Sequence, residues 1–174
     1  KRRRLPIERT WMHTPPLILV VDDQPQNVQI LKDRLEGEGY EILMATAGEQ
    51  ALVMAMDEQP DLILLDVIMP GIEVCRRLKE NVALPLIPVI MVTAKSEERD
   101  IMIGFEAGAD EYLTKPLDQS ALIARVKSML RLKSFHDIAW DQATQLESQA
   151  IELEDWNETL DNQLQRKTTD LERI

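Results

Sequence analysis

The chain has 174 residues, a formal net charge of −11 and a single cysteine, Cys75. This length allows one domain plus an extension, and a lone cysteine excludes an internal disulfide. An acidic balance argues against direct nucleic-acid binding, which depends on neutralising phosphates. No apolar run is long enough to cross a bilayer and no signal-peptide pattern is visible, so we expect a cytoplasmic protein without a membrane partner.

The first segment, residues 1–16, has no hydrophobic periodicity and begins with the basic run Lys1 to Arg4. Pro15 and Pro16 separate it from the first apolar run. A solvated tail and a basic arm that meets a partner are both compatible with this composition.

Residues 17–133 form the predicted domain, in which short apolar runs alternate with segments of helical periodicity. This alternation predicts an α/β fold, a doubly wound sheet of five parallel strands. The predicted strands are residues 17–21, 41–46, 61–66, 86–93 and 111–114. The predicted helices begin near residues 26, 49 and 73, after Ser96, and after Asp118, the last two residues serving as caps. We expect Cys75 to face the core from the third of these helices.

Four of the predicted strands end in polar residues of different chemical types, namely Asp22 and Asp23, Asp66, Thr93, and Lys115. Because the carboxyl ends of parallel strands meet at one edge of a sheet, these side chains should share a pocket. Taken alone, Asp66 could be a surface acid at a strand end, but the other strand ends favour a site of three carboxylates, a hydroxyl and an ammonium. Such crowded carboxylates need a cation, and oxygen ligands suit Mg²⁺.

This constellation, in this order, resembles the receiver domain of two-component response regulators, over about Leu17 to Lys133. The motifs that match are Asp22-Asp23, Asp66, Thr93-Ala94, Tyr112 and Lys115-Pro116. The resemblance implies a flavodoxin-like receiver that is not an enzyme in the usual sense. It also implies a sensor histidine kinase or phosphotransfer protein as the partner.

The resemblance further implies a role for each matched residue. Asp66 would accept the phosphoryl group, with Lys115 and Thr93 contacting it. Mg²⁺ would be held by Asp23, Asp66 and the backbone carbonyl of Ile68, with Asp22 acting mostly through water. Thr93 and Tyr112 would form the output switch, and the Lys115-Pro116 bond would be cis.

One departure from the family concerns the residues after Gly71. Receivers usually place an apolar residue, Asp or Asn, and Gly between Met-Pro-Gly and the next helix, whereas Met69-Pro70-Gly71 runs directly into Ile72. Either the loop is naturally about three residues shorter than the family pattern, or residues are missing from the sequence between Gly71 and Ile72. The acidic residues lie upstream of this loop.

The third segment, residues 134–174, continues the last helix without Gly or Pro. A heptad register places Ala143, Ala150, Asn157, Leu164 and Leu171 at a, and Leu146, Leu153, Leu160, Lys167 and Ile174 at d. This pattern predicts a parallel homodimeric coiled coil over Ala143–Ile174, in which Asn157 fixes the register. A single amphipathic helix packed on a domain of the same chain is the alternative.

Together these patterns predict a phosphorylation-activated response regulator that transmits its switch through a dimeric helix to an output domain absent from this chain. The stretch around Trp156 resembles linkers that precede nucleotide-cyclase or similar output domains. Two alternatives stay open. One is a Mg²⁺-dependent phosphohydrolase with an aspartate nucleophile, and the other is a non-phosphorylated scaffold for dimerisation.

Overall fold

A computed structural model of the chain describes residues 12–94 and 98–171. The strands are β1 (Leu17–Val21), β2 (Glu41–Ala45), β3 (Leu62–Asp66), β4 (Val89–Thr93) and β5 (Glu111–Thr114). The helices are α1 (Pro25–Glu36), α2 (Gly48–Glu58), α3 (Gly71–Glu80), α4 (Glu98–Glu106) and α5 (Gln119–Leu171). The basic run Lys1 to Arg4, the predicted cap Ser96 and the last predicted d position, Ile174, lie outside the described residues.

The five strands form one parallel sheet in the order β2-β1-β3-β4-β5, which confirms the predicted fold class. All residues of β1, β3 and β4 are buried, as expected for strands covered by helices on both faces. Alternate residues enter two separate hydrophobic clusters: Leu19 and Val21 belong to one, Ile18 and Val20 to the other. Cys75 is fully buried in the first cluster, as predicted.

The predicted start of β4 is wrong by three residues, because the strand begins at Val89 rather than residue 86. The carbonyl of Leu86 accepts a hydrogen bond from Lys133 Nζ at 3.2 Å. The carbonyl of Ile87 accepts one from Lys79 Nζ at 2.9 Å. Side chains thus occupy carbonyls that a longer strand would pair with its neighbour.

Helix α3 begins at Gly71, two residues before the predicted start near residue 73, and immediately after the short loop 67–70. The Gly71 backbone lies so close to β3 that a Cβ there would collide with the carbonyl of Asp66 and stand 3.1 Å from its carbon. Only glycine fits this close approach. The shortened loop therefore turns directly from the end of β3 into the helix.

A buried acid braces the edge of the sheet where β1 and β3 begin. Asp61 is 1% exposed, and its Oδ2 accepts hydrogen bonds from the Leu17 amide at 2.8 Å and the His13 amide at 3.1 Å. His13 Nδ1 lies 3.1 Å from the same oxygen. This carboxylate ties the segment before β1 to the start of β3.

Helix α5 has 53 residues, and Asp118 caps it as predicted, with Asp118 Oδ2 accepting the Ala121 amide at 2.8 Å. The chain divides into two compact units between Phe135 and His136. Every side chain from residue 142 to 169 is exposed, including those of Leu146, Leu153, Leu160 and Leu164. None of the described helices is apolar over enough of its length to cross a membrane.

Candidate functional site

The polar residues that end β3 and β4 and follow β1 and β5 lie along one edge of the sheet, because these four strands are neighbours and parallel. Asp66 is the last residue of β3 and pairs in register with Val92. Thr93, the last residue of β4, pairs with Thr114. The Lys115 amide then donates to the Thr93 carbonyl at 2.7 Å, which holds the start of the loop after β5 beside the end of β4.

Three carboxylates meet at this edge, as the sequence predicted. One oxygen from each of Asp22, Asp23 and Asp66 lies within 4.8 Å of the others. Asp22 and Asp66 are 2% and 3% exposed, whereas Asp23 faces solvent. Opposite oxygens around Mg²⁺ stand about 4 Å apart, given metal–oxygen distances of about 2.1 Å. Carboxylate oxygens gathered this closely could hold a small hard cation.

Asp22 is the carboxylate most fully engaged by protein groups. Its Oδ1 accepts the Gln24 amide at 2.9 Å, and its Oδ2 accepts Asn27 Nδ2 at 3.0 Å. Sequence reasoning missed Asn27, although its place in the first turn of α1 puts it near the acid pair. These donors engage both oxygens of Asp22.

Lys115 reaches into the acidic cluster from the loop after β5. Its Nζ lies 2.9 Å from Asp22 Oδ2 and 3.2 Å from Asp66 Oδ1. The Lys115-Pro116 peptide bond is cis, as expected from the resemblance. The sequence placed this ammonium in the pocket, and the structure shows it bridging two of the three acids.

The electrostatics of the cluster are dominated by burial and crowding. Burial raises the pKa of the Asp66 carboxyl, and the Asp22 charge adds to this, against the opposing effect of Lys115. Burial lowers the pKa of Lys115, but its hydrogen bonds and ion pairs with Asp22 and Asp66 outweigh that effect and raise it overall. The pocket holds a charged ammonium and an acid that is costly to ionise, so an additional cation would be favourable there.

The other predicted site residues are Thr93, Ile68 and Tyr112, and they differ in burial and in position relative to the acids. Thr93 is 1% exposed at the end of β4, and Ile68 is 63% exposed in the loop after β3. Tyr112 pairs with Met91 in the middle of the β4–β5 ladder, and its ring lies against α4, 5.2 Å from the Phe105 ring centroid. Tyr112 therefore lies beside the sheet edge and outside the group of acids.

Comparison with protein families gives one match over most of the domain: the family described as "Response regulator receiver domain" matches residues 18–127. Transcriptional regulatory protein PhoP for alkaline phosphatase synthesis, from Bacillus subtilis, is 48% identical over 117 residues. Response regulator PleD, from Caulobacter vibrioides, is 47% identical over 119 residues. These alignments cover 66% and 67% of this chain. The chain spans 48% of the first relative's length and 26% of the second's.

Solved structures agree with this assignment. A two-component response regulator from Clostridium difficile is 32% identical, with a TM-score of 0.62, and the alignment covers 67% of this chain and 96% of that one. A CheY-like receiver domain protein from Methanospirillum hungatei is 29% identical, with a TM-score of 0.63, over 70% and 98% of the two chains. Each alignment thus covers nearly all of the solved chain and about two thirds of this one.

Proposed function

Because the chain belongs to the response regulator receiver domain family, we propose that it is a phosphorylation-controlled switch whose phosphoacceptor is Asp66. The observation that carries the proposal is the position of this carboxylate. Asp66 is buried at the carboxyl end of the central strand, clustered with Asp22 and Asp23 and 3.2 Å from the Lys115 ammonium. Ligands of open α/β sheets bind at this edge.

Receiver domains bind Mg²⁺ through acidic residues, and the cluster described above suits such an ion. We propose that Asp23, Asp66 and the Ile68 carbonyl hold it, with Asp22 acting through water. When bound, the ion neutralises charge on the phosphoryl oxygens and on the acids themselves. Asp23 suits direct ligation because it is exposed, whereas Asp22 is already engaged by Gln24, Asn27 and Lys115.

Receiver domains act as phosphoacceptors for histidine kinases or phosphotransfer proteins, and the proposed reaction follows from that. An Asp66 carboxylate oxygen attacks the phosphorus of a phosphohistidine, the new O–P bond forms as the N–P bond breaks, and the released imidazole takes up a proton. Such transfers depend on in-line positioning and charge neutralisation. Lys115 supplies the neutralising cation from the protein side, and Thr93 offers its hydroxyl to a phosphoryl oxygen.

The proposed output begins at Thr93, the last residue of β4. The Thr93 hydroxyl moves toward the phosphoryl group, and Tyr112 changes its ring position on the neighbouring strand, where Met91 and Tyr112 are paired in register. A local charge thereby biases a two-state element. Lys115→Ala should leave Asp66 able to accept a phosphoryl group but uncouple this response.

We also propose that residues Ala143–Ile174 pair with a second copy of this chain in parallel. Leu146, Leu153, Leu160 and Leu164 are each about half to two-thirds exposed in the isolated helix. Each fully buried leucine contributes roughly 1.5–3 kcal/mol, so leaving this stripe in water is costly. The parallel pairing would carry the switch of both receivers toward an effector.

Intact mass after incubation with acetyl phosphate and Mg²⁺ tests the phosphoacceptor. Wild-type protein and Asp57→Asn, a change at an exposed acid, should each gain one phosphoryl group, and Asp66→Asn should gain none. A mass gain that survives Asp66→Asn overturns the assignment. No gain in wild type, with a parallel test for turnover of a small phosphoester, would move the function to the scaffold or to the phosphohydrolase. Neither alternative is favoured by relatives that are named response regulators or receiver domains.

A further inference from the structure

Helix α4 contains a glycine, Gly104, that its backbone conformation does not require. The glycines with positive φ are Gly39 and Gly108 among the described residues, and Gly104 is not one of them. A glycine inside a helix costs stability relative to alanine, because the unfolded chain is more flexible and the helix gains no side-chain contacts. Gly104 is also buried. The missing side chain of Gly104 therefore leaves room for a neighbouring group.

That space is filled by the Tyr112 ring. A Cβ on Gly104 would collide with the Tyr112 hydroxyl, and it would stand 2.5 Å from Cζ and 2.9 Å from Cε2. Real Cβ atoms essentially never stand closer than 3.0 Å to another heavy atom, so either the Tyr112 ring or the backbone of α4 would have to move. The Phe105 ring lies beside the same tyrosine, with 5.2 Å between centroids and 57° between planes. The Tyr112 ring thus lies against the bare backbone of α4.

We propose that Gly104 is a positioning residue: its missing side chain forms the seat that the Tyr112 ring occupies, and so couples the ring position to the position of α4. With a side chain at residue 104, the ring must turn out of this position or α4 must lift from β5. The importance of this coupling for signalling rests on the proposed function, because there Tyr112 reports phosphorylation. The seat itself is a matter of packing and can be tested without a phosphoryl donor.

The direct test follows the Tyr112 ring by fluorine NMR. The chain has two tyrosines, Tyr40 and Tyr112, so protein labelled with 3-fluorotyrosine gives two resonances, which Tyr40→Phe assigns. In Gly104→Ala, a gadolinium chelate should broaden the Tyr112 resonance severalfold more than in wild type. Tyr40 should respond equally in both proteins. Gly37→Ala is the matched control, because that glycine has φ −60° and a Cβ there meets nothing closer than 3.5 Å.

A double-mutant cycle gives an independent readout. Alanine should stabilise a helix wherever it has room, so the sign of the effect reports the space at residue 104. Gly104→Ala should lower the urea midpoint in the wild-type background. It should raise the midpoint in the Tyr112→Leu background, which lacks the hydroxyl and the far half of the ring. If Gly104→Ala does not fold but the double variant does, the seat is supported. If neither folds, the proposal fails.

The seat and the proposed function fail separately. A Gly104→Ala protein with wild-type Tyr112 broadening and a raised urea midpoint overturns the seat, whatever the phosphorylation result. Acetyl phosphate with Mg²⁺, read by intact mass, tests Asp66 alone. With phosphorylation established, the wild-type Tyr112 resonance should shift on acetyl phosphate addition and that of Gly104→Ala should not. An equal shift in both proteins overturns the coupling.

Discussion

Asp61→Ala should destabilise the fold and leave the phosphoacceptor intact. Asp61 lies at the edge of the sheet opposite to Asp66, and its Oδ2 accepts the Leu17 amide at 2.8 Å. Asp61 and Leu17 are both buried, at 1% and 7% exposure respectively. Alanine would strand a buried amide, which costs about 1–3 kcal/mol.

The longer bonds from His13 add less to this cost, because the His13 side chain is 28% exposed and water can replace the carboxylate. Removing a buried carboxylate also recovers part of its desolvation cost. We therefore expect a net loss of about 2 kcal/mol, from a total stability on the order of 5–15 kcal/mol. With a slope of about 2 kcal/mol per molar urea, the midpoint should fall by about 1 M.

Urea unfolding at one fixed protein concentration measures this change, because association would otherwise shift the midpoint. Asp61→Asn keeps one oxygen for the Leu17 amide and should lose about half as much. Asp33→Ala, at an exposed acid, should stay within about 0.5 kcal/mol of wild type. Acetyl phosphate should still label Asp61→Ala. The reasoning is refuted if Asp61→Ala unfolds at the wild-type midpoint with an unchanged slope.

Three further predictions concern the metal, the thiol and the C-terminal helix. Mg²⁺ at about 100 times its Kd should stabilise wild type by about 2.7 kcal/mol, and Asp23→Asn should lose most of the resulting rise in Tm; an equal rise in both proteins contradicts direct ligation. Burial raises the pKa of Cys75 to about 11, so a thiol reagent at neutral pH should label it only in denaturant, and labelling of folded protein would place Cys75 outside the core. Leu160→Asp with Leu164→Asp should weaken self-association about 10³-fold or more, measured by light scattering. Ile151→Asp, a change at neither an a nor a d position, should leave self-association unchanged. A dimer that persists in the double variant moves the interface elsewhere.

Much of the domain was predictable from sequence because each central strand is a short apolar run with a polar residue at its end. Parallel pairing alone then brings Asp22, Asp66, Thr93 and Lys115 to one edge. The start of β4 was not predictable, since side chains from Lys79 and Lys133 cap its preceding carbonyls. The bond from Lys133 joins residues 47 apart, and the bond from Lys79 joins residues eight apart, so neither follows from the apolar run itself.

The seat at Gly104 was unpredictable for a related reason. A glycine inside a helical pattern lowers confidence in the helix but does not say what fills the space beside it. Only the register of β4 and β5, with Met91 opposite Tyr112, and the packing of α4 bring the tyrosine ring there. Asn27 was missed for a different reason: it lies only five residues after Asp22, but its bond to that acid depends on the conformation of the turn between β1 and α1.

Asp61 and Asp66 lie at the two ends of the central apolar run. Comparing them shows why Asp66 could be assigned to the site only from the polar residues at the ends of the other strands. Asp61 and Asp66 are the same residue type at the two ends of one strand segment, and both are almost completely buried. The Asp61 oxygens are surrounded by amide and imidazole donors, so this acid holds the backbone together. Asp66 instead lies near one ammonium and two other acids. Burial and the charges of Asp22 and Asp23 raise its pKa against the opposing effect of Lys115, so an added cation is favourable there. Asp61 and Asp66 are both buried, so burial does not distinguish them. Their hydrogen-bond and ion-pair partners do: Asp61 is a structural carboxylate, and Asp66 is available for chemistry.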